Sequence, residues 1–413
     1  MKSLPAMLFS LLILSFCPDA GYGDPARLYG QVFTVDGEVF EGFIRWDRNE
    51  ISWDDILDGN KQLDDRGRKR HHSRDDRNRT REVKIFGITV YRESGSDIWN
   101  WSGKAESGIK FGHIQKLVPI GDDEVLLILK SGEEVELTGG SGDIGEDNRE
   151  IIVEDGREGI LELYWDDIDE IVFSETPNLE SKLGERLYGT LVTRRGDEFT
   201  GFIAWDIDEV LDTDILDGKE DRRKRQIEFG QIRAIERRSS QSAIVTLKNG
   251  RELRMRGTND VDNGNRGIVI SDIDLGRIVV DWDEFDALSF TDPPASGTAY
   301  SRYDGGRRLR GTVYTENGEE FTGDIRWDDD EEYTWELLNG EYRDIEMDIE
   351  LAHVKAIEKT SYHGSMVTLN DGRTFKLRDC NDIDGDNKGI FISGNDEEIV
   401  VEWEDFDRIE FTH

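Results

Sequence analysis

Three short loops of this chain carry the residue types that bind a hard cation. In each loop an aspartate is followed five residues later by an asparagine and then by arginine or lysine. The candidate ligands are Asp143, Asp147 and Asn148 in the first loop, Asp260, Asp262 and Asn265 in the second, and Asp382, Asp384, Asp386 and Asn387 in the third. Carboxylate and amide oxygens crowded on a tight loop are the ligands that Ca²⁺ requires. The sequence therefore predicts calcium sites, the best of them in the third loop, which alone has aspartate at its first, third and fifth positions.

The third loop nevertheless departs from the EF-hand pattern. Asn387 stands where the turn of an EF-hand requires glycine, and Ser393 stands where it requires a bidentate glutamate. A second interpretation therefore stays open. The same residues favour an exposed turn in which an aspartate side chain accepts a backbone N–H and asparagine or glycine takes a left-handed conformation.

A second acidic motif, D-I-L-D-G, contains two carboxylates that flank two apolar residues. It occurs with Asp55 and Asp58, recurs with Asp214 and Asp217, and varies to Glu336 and Asn339. Paired carboxylates in a cleft carry out glycoside hydrolysis, so an acid-base glycan hydrolase is one interpretation. The other is a capped turn whose isoleucine and leucine point into a core. The chain has no G-x-S-x-G, H-E-x-x-H, P-loop or dinucleotide motif, which favours a protein that is not an enzyme.

Most tryptophans of the chain precede an acidic residue, a combination that suits sugar binding by ring stacking and hydrogen bonding. Three of them occupy equivalent positions in predicted strands: Trp46, Trp205 and Trp327. The first alternates with Phe40 and Ile44 on one strand face, so we expect all three to be core residues. Trp99 and Trp101 are the better ligand candidates, because their spacing places both rings on one face of a strand.

These loops and motifs belong to three similar segments of the chain. The segment RLYGQVFTVDGEVFEGFIRWD begins at Arg27, and segments that begin at Arg186 and Arg308 match it without gaps through the D-I-L-D-G motif. We call them copy 1 (residues 27–173), copy 2 (186–290) and copy 3 (307–413), and we expect each to form one domain. Copy 1 has an insertion at about residues 61–108 with a basic stretch between residues 66 and 84. We expect a solvated loop there, with a polyanion-binding patch as the alternative.

Within each copy, apolar residues alternate with a period of two, and glycines at the predicted hairpin turns supply the positive φ that such turns need. About seven or eight short strands per copy predict an all-β fold of three tandem small barrels or sandwiches. The recurring hairpin G-x-x-F-x-G-x-I resembles the opening hairpin of SH3-like or Sm-like barrels over about twenty residues per copy. That resemblance implies a small-barrel fold and nothing about function.

The N-terminal segment, residues 1–23, is predicted to be a secretory signal. Lys2 precedes an apolar run from Leu4 to Phe16, which small residues follow. The run is too short for a transmembrane helix and no other stretch could span a membrane, so we expect a secreted or periplasmic protein. Removal of the signal leaves Cys380 as the only cysteine, and no internal disulfide is then possible.

The chain carries 91 acidic and 52 basic residues, a net charge of −39. This charge excludes nucleic-acid binding by general attraction to phosphates. We expect an exported, non-enzymatic binding or structural module in which calcium braces the acidic loops. The expected partner is another exported protein or a cell-surface glycan, bound by several weak sites that add up through avidity. A carbohydrate-binding protein and a glycan hydrolase are the alternatives.

Overall fold

The computed structural model describes residues 24–62, 81–85, 88–93, 104–140, 142–293, 297–394 and 397–412. Strands make up 56% of the structure and helices 5%, which confirms the predicted all-β class. The predicted signal (residues 1–23), both candidate ligands Trp99 and Trp101, and residues 63–80 of the basic insertion lie outside the described residues.

The helices that are described are short 3₁₀ turns of three residues each. They are Phe111–His113, Trp165–Asp167, Phe229–Gln231, Asn259–Val261, Tyr300–Arg302 and Leu351–His353. None of them has the length and the apolar character that a membrane crossing requires.

The strands are short, and the described residues contain more of them than the seven or eight per copy that the sequence predicts: twelve in copy 1 and ten in each of copies 2 and 3. Those of copy 1 are β1 (Tyr29–Thr34), β2 (Val39–Trp46), β3 (Ile56–Gln62), β4 (Arg81–Ile85), β5 (Ile88–Glu93), β6 (Lys104–Lys110), β7 (Ile114–Gly121), β8 (Glu124–Leu129), β9 (Glu134–Thr138), β10 (Ile151–Asp155), β11 (Gly159–Leu163) and β12 (Ile168–Phe173). Those of copy 2 are β13 (Tyr188–Thr193), β14 (Glu198–Ala204), β15 (Ile215–Glu220), β16 (Arg223–Glu228), β17 (Ile232–Ser239), β18 (Ser242–Leu247), β19 (Glu252–Met255), β20 (Ile268–Asp272), β21 (Gly276–Val280) and β22 (Phe285–Phe290). Those of copy 3 are β23 (Arg310–Thr315), β24 (Glu320–Trp327), β25 (Leu337–Tyr342), β26 (Ile345–Glu350), β27 (Val354–Ser361), β28 (Gly364–Leu369), β29 (Thr374–Arg378), β30 (Ile390–Gly394), β31 (Glu397–Val401) and β32 (Phe406–Phe411).

Each copy builds an antiparallel ladder in which its first and last strands pair. In copy 1 the spatial order is β11-β10-β2-β1-β12-β7-β8-β9-β3-β6, and β4 and β5 form a separate hairpin. The equivalent pairs β13–β22 and β23–β32 join the ends of copies 2 and 3. The ladders do not close into barrels. Of the two predicted architectures, barrel and sandwich, the closed barrel is therefore not formed.

The alternation of apolar residues buries the tryptophans as predicted. Trp46, Trp205 and Trp327 are all 0% exposed. Trp46 packs edge to face on Phe111 and Trp165, with ring centroids 5.9 and 6.2 Å apart. Because truncating a buried tryptophan costs about 3–5 kcal/mol, each ring is a major contributor to its core.

Copies 2 and 3 share one 18-stranded sheet. Strand β21 of copy 2 pairs with β26 of copy 3, with Ile278 opposite Met347. A single hydrophobic core cluster runs through both copies. The sequence predicts three tandem domains, and hydrogen-bonded strands join the second of these copies to the third.

Copy 1 is tied to the others by the segment that connects copies 2 and 3. Tyr300 from that segment packs into the core of copy 1, and its hydroxyl donates to the carbonyl of Ile114 at 2.7 Å. The Lys130 Nζ lies 3.0 Å from the Tyr300 ring centroid, in a cation–π contact. The connecting segment therefore contributes to the hydrophobic core of copy 1.

Candidate functional site

Three acidic residues from two separate segments meet in the interior of copy 2. Asp206 and Glu209 flank the turn that follows β14, and Asp260 lies in the acidic loop before β20. The pairing of β14 with β20, with Ile203 opposite Ile270, brings the two segments together. One oxygen from each carboxylate lies within 4.8 Å of the other two, and among the described residues this is the group that meets that spacing.

Equivalent acids occupy the same positions in the other copies. They are Asp47, Glu50 and Asp143 in copy 1, and Asp328, Glu331 and Asp382 in copy 3. We call the three groups the acid triads. Burial raises the pKa of Glu50, and repulsion from Asp143 and Asp47 raises it further. Burial and repulsion from Asp382 and neighbouring acids raise the pKa of Glu331 in the same way. The three acids therefore also interact with one another within copy 1 and within copy 3.

The turn that positions the first two acids has an unfavourable backbone. Asp206 and Ile207 have φ values of 51° and 61°, and Trp205 bridges Glu209 across the turn. Asparagine, aspartate and glycine tolerate this conformation, whereas a β-branched isoleucine is strained in it. Copies 1 and 3 have the same left-handed pair after β2 and β24. The same pair also occurs at Asp221–Arg222 and Arg343–Asp344, outside the triads, so it reflects the type I′ geometry of a tight hairpin turn.

The first aspartate of each predicted calcium loop is anchored inside its copy. In copy 3 the carboxylate of Asp382 accepts the N–H of Asn339 at 2.7 Å, and its carbonyl oxygen accepts the indole N–H of Trp327 at 2.8 Å. Copies 1 and 2 make the same two hydrogen bonds. Asp382 therefore joins a core tryptophan to the D-I-L-D-G strand.

The other predicted ligands of copy 3 form a turn of their own. The carboxylate of Asp384 accepts the N–H of Asp386 at 2.9 Å, and Asp386 is exposed. Asn387 is buried; its Oδ1 accepts the N–H of Gly389 at 2.9 Å. The structure thus groups Asp382 with Asp328 and Glu331 rather than with Asp384 and Asp386.

The predicted ligands of the other two loops divide in the same way. Asp143, Asp260, Asn148 and Asn265 are buried, Asp262 is half-buried and Asp147 is exposed. The carboxylate of Asp262 accepts the N–H of Gly264 at 3.0 Å, which is an Asx turn. In every copy the interior aspartate belongs to the triad, and the asparagine braces the loop.

The recurring cation of each loop neutralises one acid of its triad. In copy 2 the Arg266 guanidinium lies 3.0 Å from Asp206 Oδ2, and the Arg266 N–H donates to Asp206 Oδ1 at 2.6 Å. Arg149 pairs with Asp47 at 2.9 Å and Lys388 with Asp328 at 3.7 Å. One positive charge therefore stands against three carboxylates in each triad.

The glutamate of each triad is left without such compensation. Burial, followed by repulsion from Asp260 and Asp206, raises the pKa of Glu209 to about 10. Its Oε2 is buried with no hydrogen-bond partner among the described residues, and the same is true of Oε2 in Glu50 and Glu331. Those two glutamates are only 4% and 8% exposed. Such a group must either carry a proton or face a bound cation.

The D-I-L-D-G acids have structural tasks. Asp214 accepts the N–H groups of Val210 and Leu211 at 2.8 and 2.9 Å, and it pairs with Arg45 of copy 1 at 3.0 Å. Asp55 and Glu336 accept the equivalent pairs of backbone N–H groups. The capped turn is therefore formed, and these carboxylates also connect the copies.

Every tryptophan in the described part of the chain is buried, and none is more than 3% exposed. They are Trp46, Trp53, Trp165, Trp205, Trp282, Trp327, Trp335 and Trp403. The described tryptophans thus offer no exposed ring for stacking on a sugar.

Two members of each triad were missed by the sequence analysis. Asp206 and Glu209 belong to a W-D-x-x-E motif that recurs at residues 46–50, 205–209 and 327–331. That recurrence is the signal that could have identified them. No protein-family model matches the chain, and a search of curated proteins found no significant match. The chemistry of the triads is therefore argued from their geometry.

Proposed function

We propose that this chain is an exported, non-enzymatic binding and structural protein. A divalent cation, Ca²⁺ in preference to others, braces its β copies at the acid triads. The observation that carries the proposal is the triad of copy 2. Three carboxylates there converge within 4.8 Å, and one glutamate oxygen has no partner among the described residues. The three carboxylates carry six oxygens, and Ca²⁺ takes six to eight. Hydrogen bonds already engage both oxygens of Asp206 and one oxygen of Asp260, so water would complete the coordination of the ion.

The charges of the triad support a divalent ion. Asp206, Glu209 and Asp260 carry three negative charges when ionised, and Arg266 contributes one positive charge. Arg266 is also shared with Asp208, at 2.5 Å, so at least two negative charges of the triad stay uncompensated, and one Ca²⁺ ion would balance two of them. Asp206 also accepts a hydrogen bond from the side-chain amide of Asn259, which leaves Glu209 and Asp260 as the principal ligands.

The contacts between copies support the structural part of the proposal. Arg277 of copy 2 lies between Asp58 of copy 1 and Asp348 of copy 3, with N–O distances of 2.5 and 2.7 Å. In addition, Glu350 of copy 3 pairs with the buried Lys110 of copy 1 at 2.9 Å. A frame held in this way suits a module that presents fixed surfaces to an exported protein or a cell-surface glycan. Export itself is proposed from residues 1–23.

The D-I-L-D-G acids support a protein that is not a hydrolase, since their carboxylates cap turns and form ion pairs between copies. The carbohydrate alternative would depend on Trp99 and Trp101. No described residue favours it over the cation proposal.

Thermal unfolding of the purified protein in millimolar Ca²⁺, in Mg²⁺ and in chelator tests the proposal. A ligand at 100 times its Kd adds about 2.7 kcal/mol to the free energy of unfolding, so we expect a higher midpoint in Ca²⁺. Glu209→Gln should lose the contribution of copy 2. Glu236→Gln, which changes an exposed glutamate on β17, is the matched control and should respond as the wild type does. Identical midpoints for the wild type in Ca²⁺ and in chelator would contradict the proposal.

A further inference from the structure

Every copy has the same two strand edges, and the pairing that joins copies 2 and 3 uses one edge of each. In copy 1 the equivalent edges belong to β11, which pairs with β10, and to β6, which pairs with β3. Strand β11 (GILEL) lacks the two glutamates that begin β31. Strand β21 (GRIVV) of copy 2 corresponds to β31 (EEIVV) of copy 3, because each pairs with the preceding hairpin strand in the same register. Strand β26 of copy 3 corresponds to β16 of copy 2, since each pairs in the same way with the D-I-L-D-G strand. Within the molecule β21 pairs with β26. Among the described strands, the residue registers pair β31 with β30 alone and β16 with β15 alone.

The unpaired edge at β31 exposes apolar side chains that its counterpart buries. Ile278 and Val279 of β21 are 0% and 4% exposed, because β26 lies beside them. Ile399 and Val400 occupy the same positions in β31 and are 37% and 43% exposed. An exposed edge strand with apolar side chains is a template for pairing with another strand, and soluble proteins ordinarily protect such edges.

The unpaired edge at β16 has the opposite charge. The hairpin of residues 219–225, which includes the first three of the six residues of β16, has five basic and two acidic residues. Arg223 and Lys224 are exposed. Copy 3, to which β31 belongs, has 29 acidic and 12 basic residues. The free basic edge and the free acidic edge are thus complementary in charge and equivalent in position to a pair that already forms.

We propose that β31 of one molecule pairs with β16 of a second copy of this chain, in the register that β21 and β26 use. That register places Ile399 opposite Arg225 and Val400 opposite Lys224. Glu398 then lies diagonally across from Lys224 on the same face of the ladder, within reach of an ion pair. Since the two edges differ, the contact is head-to-tail and builds a ring or an open chain of molecules.

Sedimentation velocity over a range of protein concentrations tests this proposal. We expect the mass of the wild type to rise with concentration and to exceed that of one chain. Glu398→Lys and Lys224→Glu each place like charges across the contact and should raise the apparent Kd of self-association about tenfold. Glu134→Lys and Lys248→Glu change exposed residues on other strands or turns, and they should leave self-association unchanged. Because Glu398 also pairs with Arg326 at 3.2 Å, the unfolding midpoint of its variant is measured in parallel.

A mixture of the two charge-swapped proteins gives the decisive result. Glu398 of the K224E protein meets Lys224 of the E398K protein, and the other contact joins the two new residues of opposite sign. The mixture should therefore regain the self-association that each variant loses alone. A wild type that stays monomeric, or charge-swapped variants that assemble as the wild type does, would overturn the proposal. So would a mixture that fails to recover. The same series in chelator separates this result from the calcium proposal, because neither edge contains a triad residue.

Discussion

Replacing Glu209 with glutamine should stabilise the protein in the absence of a divalent cation. Burial, with added repulsion from Asp260 and Asp206, raises the pKa of Glu209 from 4.5 to about 10. The folded protein therefore keeps a proton at neutral pH that the unfolded chain releases above pH 4.5. Because the folded state then binds more protons, the free energy of unfolding falls as the pH rises between these two values.

The size of this effect follows from the same pKa. Each pH unit between the unfolded and folded pKa changes the free energy of unfolding by about 1.36 kcal/mol, so Glu209 lowers stability by about 3 kcal/mol at pH 7 relative to pH 4.5. Glutamine has a similar shape and no such proton, so Glu209→Gln should avoid this loss. In Ca²⁺ the difference in free energy of unfolding between the variant and the wild type should narrow or change sign. The wild type gains about 2.7 kcal/mol at 100 times the Kd, whereas the variant lacks a ligand in copy 2.

Urea unfolding of the wild type, Glu209→Gln and the exposed control Glu236→Gln, each at pH 5, 6, 7 and 8 in chelator, measures this difference. The variant should diverge from the wild type steadily as the pH rises, and the control should follow the wild type. Equal stability of the wild type and Glu209→Gln at pH 7 would refute the reasoning, since it would mean that Glu209 ionises in the folded protein without a cost. The series in Ca²⁺ then tests cation binding separately.

Two further predictions concern the contacts between copies. Arg277→Met should destabilise the protein by at most about 3–5 kcal/mol in urea unfolding, because the half-buried Asp58 and Asp348 then lose the cation that they share. The second prediction concerns Glu350. Burial alone would raise the pKa of this carboxyl, but Lys110 and His113 hold it below its usual value of 4.5. The contribution of Glu350 to stability is therefore present above pH 4.5 and is lost as the pH falls. Glu350→Gln should therefore lower stability at pH 7 by a similar amount and flatten the acid limb of the pH–stability curve, and an unchanged limb would contradict the assignment.

The core was more predictable from the sequence than the site. The period-two pattern is local, and it correctly predicts the burial of Trp327. Asp382 is found by its recurrence in three loops, but its neighbours Asp328 and Glu331 lie far away in the sequence. They meet it only through the register of β24 on β30, and a slip of one residue would turn every side chain to the other face. The contact between β21 and β26 was beyond prediction. Strand β31 (EEIVV) has a sequence similar to that of β21 (GRIVV), yet among the described strands its second edge has no partner.

The three copies differ where they meet and agree in their interiors. Asp58 pairs with Arg277, its equivalent Asn339 donates to Asp348 at 2.7 Å, and the third equivalent, Asp217, is exposed. The surface acids of the motif therefore have a separate task in each copy. Binding by avidity would require the same surface in each copy, whereas the feature common to all three is the buried triad. If the triads bind a cation as we propose, cation binding is the property that the copies multiply, and contacts with partners are to be sought on individual surfaces such as the edges of β16 and β31.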